Sequence, residues 1–263
     1  MFAFVNQLSL AYDEKGSGIP ILWVHGYPLN KTLWKPQLDG LADITRGLAI
    51  DLRGHGESQA TSGVYTMDLL ADDCAAFLDV KGIQQPIVLA GLSMGGYVSM
   101  AFCRRHAGRL AGLILCATRP HADSPEGKQN RTDSAALAQQ RGVHAAVSGL
   151  QTKLMAPDTY TRRPDLVDTV KAMTESTPLE GVVGDLLGMR ERPDSLATLA
   201  AFERPALILH GAEDQIIPIS EAEKTQATLP NSRLEIIPEA GHLLNLEQPQ
   251  AFNSAVRRFL AQF

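Results

Sequence analysis

Short apolar runs alternate with amphipathic segments along most of the chain. Such runs fit strands that are buried on both faces of a parallel sheet. The pattern predicts strands at residues 2–7, 8–13, 19–24, 47–52, 86–90, 110–117, 206–210 and 233–238. The first two read as a hairpin or meander, followed by a Gly-Ser-Gly turn at 16–18.

Helical spacing of apolar residues fills the segments between several of these strands. The clearest case is 66–80, where apolar residues recur every three or four positions and Thr66 is a good first-turn cap. Further helices are predicted at 33–41, from the glycine-rich stretch at 91–96 to residue 106, at 219–229 and at 249–261. Alternating strands and helices predict an α/β fold with a mostly parallel sheet and helices on both faces.

The alternation stops near Arg119 and resumes near residue 200. No strand-like run occurs between these points. The stretch is polar and helix-compatible, and it is interrupted by Pro125, Pro157, Pro164, Pro178 and Pro193. The segment is too long for a plain loop. We interpret 119–199 as a helical cap inserted into a core domain made of 1–118 and 200–263; a meandering surface excursion is the alternative.

Composition narrows the function classes. The chain has 263 residues, 44% of them hydrophobic and 20% charged, which is ordinary globular usage. Lys and Arg total 24 against 29 Asp and Glu, and no basic face stands out. We therefore expect no nucleic-acid partner. Three widely spaced cysteines fit buried small hydrophobes in a reducing compartment.

Targeting signals are not evident either. The N-terminus lacks the basic region of a signal peptide. No run of about 18 apolar residues predicts a transmembrane helix. We expect a cytoplasmic protein that does not engage a membrane.

The strongest chemical signal is Gly91-Leu92-Ser93-Met94-Gly95, which follows an apolar strand and opens a helix. That context is the one a nucleophile elbow requires, with the serine on a strained turn between glycines. Ser93 is therefore the predicted nucleophile. An ordinary helix N-cap is the alternative interpretation of the same residue.

A serine hydroxyl needs a base, and the base needs an orienting carboxylate. His242 is the one histidine near the C-terminus, in a loop after the strand at 233–238, and we predict it as the base. The acid should follow the preceding strand, where Glu213 and Asp214 compete and Asp214 is preferred.

Two preorganised N–H donors are expected for the developing oxyanion. One is the backbone N–H of Met94, and the other is that of Tyr27, since Pro28 has none to offer. The Tyr27 side chain could instead line the acyl pocket or simply pack.

Taken together, five motifs in this order resemble the α/β-hydrolase superfamily, in particular its carboxylesterases, enol-lactonases and cofactor-free haloperoxidases. They are His25-Gly26-Tyr27-Pro28, Asp51-Leu52-Arg53-Gly54-His55-Gly56-Glu57-Ser58, Gly91 to Gly96, Gly211-Ala212-Glu213-Asp214 with Pro218, and Gly241-His242. The resemblance implies an eight-stranded, mostly parallel sheet. It also implies that Asp51, Arg53 and His55 are structural, with a direct role of His55 as the alternative.

Two positions distinguish this chain from other subgroups of the superfamily. Haloalkane dehalogenases and epoxide hydrolases carry Asp where this chain has Ser93, and haloperoxidases often place Trp where it has Tyr27. No metal or cofactor motif occurs, so we expect neither group.

We therefore expect a carboxylesterase that cleaves small to medium esters through an acyl-enzyme, because the cap holds one aromatic residue, Tyr160. A lactonase, a carbon–carbon bond hydrolase or a perhydrolase on the same three residues stays open, as does a small-ligand receptor. An anionic substrate would require one of the cap cations to point inward, from Lys128, Arg131, Arg141, Lys153, Arg162, Arg163 and Lys171.

The cap also supplies apolar residues that either line the pocket or form the cap's own core. The candidates are Leu137, Val143, Val147, Leu150, Leu154, Met155, Leu166, Met173, Leu179, Val182, Val183, Leu186, Leu187 and Met189.

Overall fold

Eight strands form a single sheet in the computed structural model, which describes all 263 residues. Their order across the sheet is β1-β2-β4-β3-β5-β6-β7-β8. β2 runs antiparallel to both of its neighbours, and all later neighbours pair in parallel. The strands are β1 Phe2–Val5, β2 Leu8–Lys15, β3 Ile19–Val24, β4 Thr45–Ile50, β5 Ile87–Leu92, β6 Leu110–Cys116, β7 Ala206–Gly211 and β8 Ser232–Ile237.

Twelve α-helices accompany the sheet. They are α1 Lys35–Gly40, α2 Met67–Val80, α3 Met94–His106, α4 Pro125–Arg141, α5 Val143–Gln151, α6 Thr159–Arg162, α7 Pro164–Glu175, α8 Leu179–Glu191, α9 Leu196–Ala200, α10 Ile219–Thr228, α11 Leu244–Glu247 and α12 Pro249–Leu260. The fold predicted from the sequence is confirmed. The short helix α11 was not predicted, because four residues are too few to show a helical period.

The residues of β3 show how the sheet is held. Leu22 and Val24 face one side and Ile21 and Trp23 the other, as the two-residue period of a strand requires. Each side packs into its own apolar cluster. Burial on both sides explains why this strand reads as a continuous apolar run.

The chain between β6 and β7 contains six helices, α4 to α9, and no strand. The predicted helical character of this segment is confirmed. Within it, α4 contacts α5 and α8, and α5 contacts α7. Treating 119–199 as a separate cap domain stays an interpretation.

Helix length and hydropathy decide whether a helix could span a membrane. None of the helices combines the length and the apolar composition that a bilayer crossing demands.

Candidate active site

Ser93 sits between β5 and α3 with φ 55° and ψ −113°. A positive φ is unfavourable for a residue other than glycine, so the surrounding structure must impose it. Two hydrogen bonds hold the Ser93 backbone in place. Ser93 N–H donates to Cys116 O at 2.9 Å, and the side-chain Oγ1 of Thr118 donates to Ser93 O at 2.8 Å. The Ser93 side chain forms no helix-cap hydrogen bond, which contradicts the alternative of an ordinary N-cap.

The flanking glycines permit this turn by close backbone approach. A Cβ added to Gly91 would lie 2.1 Å from Gly95 O, and one added to Gly95 would lie 2.2 Å from Val24 O. Neither contact can be relieved by a side-chain movement, because both neighbours are backbone atoms. The Gly-x-Ser-x-Gly pattern is therefore a steric requirement of this tight turn.

His242 and Asp214 form a hydrogen-bonded pair beside this turn. Nδ1 of His242 lies 2.8 Å from Oδ2 of Asp214, and both side chains are buried. A carboxylate only accepts, so Nδ1 carries the proton and Nε2 of the neutral ring is left free to accept one. Ser93 and His242 line the same cavity. No hydrogen bond joins Ser93 Oγ to His242 in this structure.

The carboxylate of Asp214 is fixed at both oxygens. Oδ1 accepts from the backbone N–H groups of Ile216 at 2.8 Å and Ile217 at 3.0 Å. Burial would raise the pKa of Asp214, but His242 and these N–H donors outweigh it and lower the pKa. Glu213, the competing candidate, is exposed and has no such partner. The geometry thus selects Asp214 as the partner of His242.

The loop after β3 lies against the turn. A Cβ added to Gly26 would lie 3.2 Å from Cβ of Ser93. The Tyr27 N–H donates no hydrogen bond within the protein, and the Met94 N–H begins α3, where helical N–H groups lack an intrahelical acceptor. Two unused donors therefore flank Ser93. The Tyr27 side chain also lines the cavity, and its hydroxyl is buried without a partner.

The segment from Asp51 to Ser58 supports the loop after β3. Asp51 accepts from the backbone N–H of Lys31 at 2.6 Å and from its Nζ at 2.9 Å. His25 Nε2 accepts from Leu52 N–H at 3.1 Å, so this nitrogen is unprotonated. Burial, reinforced by the nearby His55, lowers the pKa of His25 well below its ordinary value, in agreement with a neutral ring. These contacts fit the structural role expected for the motif.

His55 and Arg53 connect this segment to helices. His55 Nε2 approaches Asp185 Oδ2 of α8 to 3.0 Å with both groups fully buried, although the angle is not that of a hydrogen bond. Burial would lower the pKa of His55, but Asp185 outweighs it and raises the pKa. Arg53 forms a bidentate pair with Asp73 of α2. His55 therefore joins the core to α8 and is not among the residues that line the cavity.

Glu247 is a residue of this region that the sequence patterns do not reveal. Its buried carboxylate accepts from Gly241 N–H at 2.7 Å, Ala156 N–H at 2.8 Å and Thr159 Oγ1 at 2.7 Å. It therefore fixes the loop that carries His242 to the segment between α5 and α6. Burial is the main cause that raises the pKa of Glu247. In the sequence it is a single glutamate five residues before Phe252, the first buried residue of α12, and nothing in the neighbouring residues marks it.

The cavity itself has a volume of about 510 Å³ and lies between the core and the helices after β6. Leu150, Leu186 and Met189 contribute apolar lining from these helices, and Leu154 does so from the segment after α5. Arg119, Arg131 and Lys153 contribute three cations, and no aspartate or glutamate lines the cavity. Of the predicted cap cations, only Arg131 and Lys153 reach it.

Comparison with known proteins agrees with this arrangement. A thermophilic esterase from Thermogutta terrifontis, solved with malate bound, superimposes with a TM-score of 0.96 at 42% identity over 100% of this chain and 98% of its own. The enol-lactonase of Burkholderia xenovorans LB400 gives a TM-score of 0.92 at 27% identity over 99% of this chain and 100% of its own. A non-heme chloroperoxidase of Kitasatospora aureofaciens is 28% identical over 96% of both chains.

The model of a protein family also matches most of the sequence. Residues 19–249 match the family described as the alpha/beta hydrolase fold. This range includes the turn at Ser93, the paired Asp214 and His242, and the helices between β6 and β7. The chain belongs to the α/β-hydrolase fold family.

Proposed function

We propose that this chain hydrolyses small to medium carboxylic esters through an acyl-enzyme on Ser93. The observation that carries the proposal is the cavity onto which both the strained Ser93 and His242 open, with Asp214 paired to His242 behind it. A serine on a sharp turn, a neutral imidazole and an ionised carboxylate are the parts that acyl transfer requires. The similarity to a thermophilic esterase at 42% identity supports the same reaction class.

In the first half of the reaction, Ser93 Oγ attacks the ester carbonyl carbon while His242 Nε2 takes the hydroxyl proton. Asp214 keeps the proton on Nδ1 and stabilises the imidazolium that forms. The N–H groups of Tyr27 and Met94 donate to the oxyanion as the carbonyl becomes tetrahedral. The intermediate collapses when His242 returns the proton to the leaving alcohol.

In the second half, water replaces the alcohol. His242 accepts a proton from the water, whose oxygen attacks the acyl carbon of the Ser93 ester. The same two N–H groups hold the second oxyanion, and Ser93 leaves with the proton from His242. The products are the carboxylic acid and the free enzyme.

The size of the cavity sets the substrate range. A volume of about 510 Å³ accommodates an ester of moderate length but not a long-chain triglyceride. We expect activity to peak at short acyl chains, of roughly two to six carbons. A steep rise in kcat/KM with longer chains would contradict this.

A fluorophosphonate probe combined with p-nitrophenyl butyrate tests the proposal. Wild type should be labelled rapidly and at Ser93, and Ser93→Ala should lose labelling and at least about 10³-fold in kcat/KM with the melting temperature retained. Ser254→Ala, a change at an exposed serine of α12, serves as the matched control and should behave as wild type. Full activity in Ser93→Ala would refute the proposal.

A lactonase is a second candidate, favoured by the similarity to an enol-lactonase at 27% identity. A lactone is an internal ester, so the same residues would open the ring, and the alcohol would remain attached to the acid. The two candidates separate on one pair of substrates, γ-butyrolactone and ethyl butyrate. A kcat/KM higher by an order of magnitude for the lactone would favour the lactonase.

A further inference from the structure

One side of the cavity carries positive charge that the protein neutralises only in part. Arg119 follows the end of β6, Arg131 lies on α4, and Lys153 follows α5. Lys153 is exposed and forms no ion pair, whereas the side chains of Arg119 and Arg131 are only 31% and 24% exposed. Partly buried guanidinium groups with no acid among the lining residues suggest a binding site for an anion.

The only carboxylate shared by these arginines is Asp123, which lies behind them with a side chain that is 1% exposed. It accepts from Arg119 Nη2 at 2.8 Å, Arg131 Nε at 3.2 Å and Arg192 Nη2 at 2.9 Å. Burial would raise the pKa of Asp123, but Arg192 and Arg131 outweigh it and lower the pKa to about 2. Three guanidinium groups therefore share one carboxylate, and the cluster keeps a net positive charge.

The remaining donors of the cluster are unevenly distributed. Arg192 is nearly fully buried, stacks on Tyr97 at 4.1 Å from the ring centroid, and donates to the carbonyls of Met189 and His121. Both of its Nη groups are therefore engaged within the protein, while its Nε is buried without a partner. In contrast, neither Nη of Arg131 donates within the protein, and of the two Nη groups of Arg119 only Nη2 does so. The unused Nη donors therefore belong to the two arginines that line the cavity.

A hydrogen bond links the residue next to Arg119 to the proposed nucleophile. Thr118 Oγ1 donates to Ser93 O at 2.8 Å, and Arg119 is the next residue. The hydroxyl group of Ser93 and the guanidinium group of Arg119 open on the same cavity. A substrate bound at Ser93 could thus present a second charged group to Arg119 and Arg131 without leaving the cavity.

We propose that the cavity binds esters or lactones whose acyl part carries a carboxylate, and that Arg119 and Arg131 hold this carboxylate, with Lys153 at the exposed edge. The inference rests on the proposed function, since it names the substrate class of the same site. Two guanidinium forks match the planar carboxylate better than a single ammonium would. For a half-ester the reaction consumes one water and yields a dicarboxylate and an alcohol, with a proton released from the new acid.

Two substrates of equal shape test the proposal. Monoethyl glutarate carries the carboxylate, and ethyl 5-amino-5-oxopentanoate replaces it by a neutral amide. We expect wild type to prefer the anionic ester, and Arg131→Gln to reduce the ratio of the two kcat/KM values by about tenfold or more, because a charge-assisted hydrogen bond is lost. Arg141→Gln removes the same charge from the exposed end of α4 and should leave the ratio unchanged.

A binding measurement keeps the inference testable apart from catalysis. Glutarate dianion, titrated calorimetrically into the Ser93→Ala protein, should bind about tenfold more weakly after Arg131→Gln. If Arg131→Gln does not fold, Arg131→Lys takes its place. This variant keeps the charge but loses the guanidinium fork, so glutarate should bind to it more weakly than to the Ser93→Ala protein that retains Arg131. An unchanged kcat/KM ratio together with unchanged glutarate binding would overturn the inference and leave the proposed function intact. Arg131-dependent glutarate binding without any ester or lactone turnover would overturn the proposed function alone.

Discussion

The two walls of the cavity are built in different ways. On the core wall, Ser93, Asp214 and His242 are held by backbone hydrogen bonds and by contacts too tight for any side chain at Gly91 and Gly95. On the wall after β6, Arg131 keeps donors that the protein does not use and Lys153 is exposed. The fold therefore fixes the residues that we propose for acyl transfer, whereas the cations that we propose for substrate binding keep donors that the protein does not occupy.

Breaking the core wall should have the largest effect. Asp214→Asn leaves the shape of the loop but reverses the hydrogen bond to His242, so that the proton moves to Nε2 and the base is lost. We expect kcat to fall by about 10⁴-fold with little change in KM. Glu213→Gln, next to it and exposed, is the matched control for steady-state kinetics on p-nitrophenyl butyrate. Comparable losses in both variants would contradict the assignment of Asp214.

The second-largest effect is expected at Glu247, whose carboxylate joins the two walls of the cavity. Glu247→Ala leaves Gly241 N–H, Ala156 N–H and the Thr159 hydroxyl without their acceptor, so the free energy of unfolding should fall by about 3 kcal/mol or more. The kcat should fall as well, because Gly241 precedes His242. Urea denaturation of this variant and of Glu213→Ala would measure the difference. A stability equal to that of Glu213→Ala would show that the contact is unimportant.

The next prediction concerns the ion pairs between Asp123 and the arginines behind the second wall. Its pKa is lower in the folded state, so its ionisation stabilises the protein above its ordinary pKa, and this contribution disappears as the pH falls from about 4 to about 2. Asp123→Asn should therefore cost about 2 kcal/mol at neutral pH. The difference from wild type, followed by urea denaturation from neutral to acid pH, should narrow below pH about 4. A difference that stays constant over this range would argue against the arginine cluster.

The smallest effect is expected from the apolar part of the second wall. Leu150→Ala enlarges the cavity without touching the reacting groups, so kcat/KM for p-nitrophenyl hexanoate relative to the butyrate should rise about threefold to tenfold. Leu179→Ala, on the exposed side of α8, is the control. An unchanged preference in Leu150→Ala would place acyl selection elsewhere in the cavity.

The contrast between the two walls also explains which parts of the site the sequence alone could predict. Ser93 and the strands around it follow from local rules, since the turn needs glycines at fixed positions and buried strands need apolar residues. His242 and Asp214 follow from chain order in the fold. Glu247 and Asp123 could not be predicted, because two of the three partners of Glu247 lie about 90 residues away in the chain and the arginines of Asp123 come from three separate segments.

The lysines and arginines between β6 and β7 likewise could not be assigned to the cavity from the sequence. The sequence offers seven from Lys128 to Lys171, and it does not say which point inward; only the packing of α4 and α5 selects Arg131 and Lys153. Arg119 was not among them, since it stands at the boundary of the segment. Side-chain direction at a helix–core contact depends on long-range packing, which no local period encodes.

The place of β6 beside β5 has a consequence for how such a chain can change over time. The helical segment departs from β6, which neighbours the strand that precedes Ser93, and it returns to the sheet at β7, on the other side of β6. Helices of different length or charge can be accommodated between these two points while the register of β5, β6 and β7 is kept. New substrates would then become accessible through replacement of one contiguous stretch of the gene, with the hydrolytic machinery inherited unaltered.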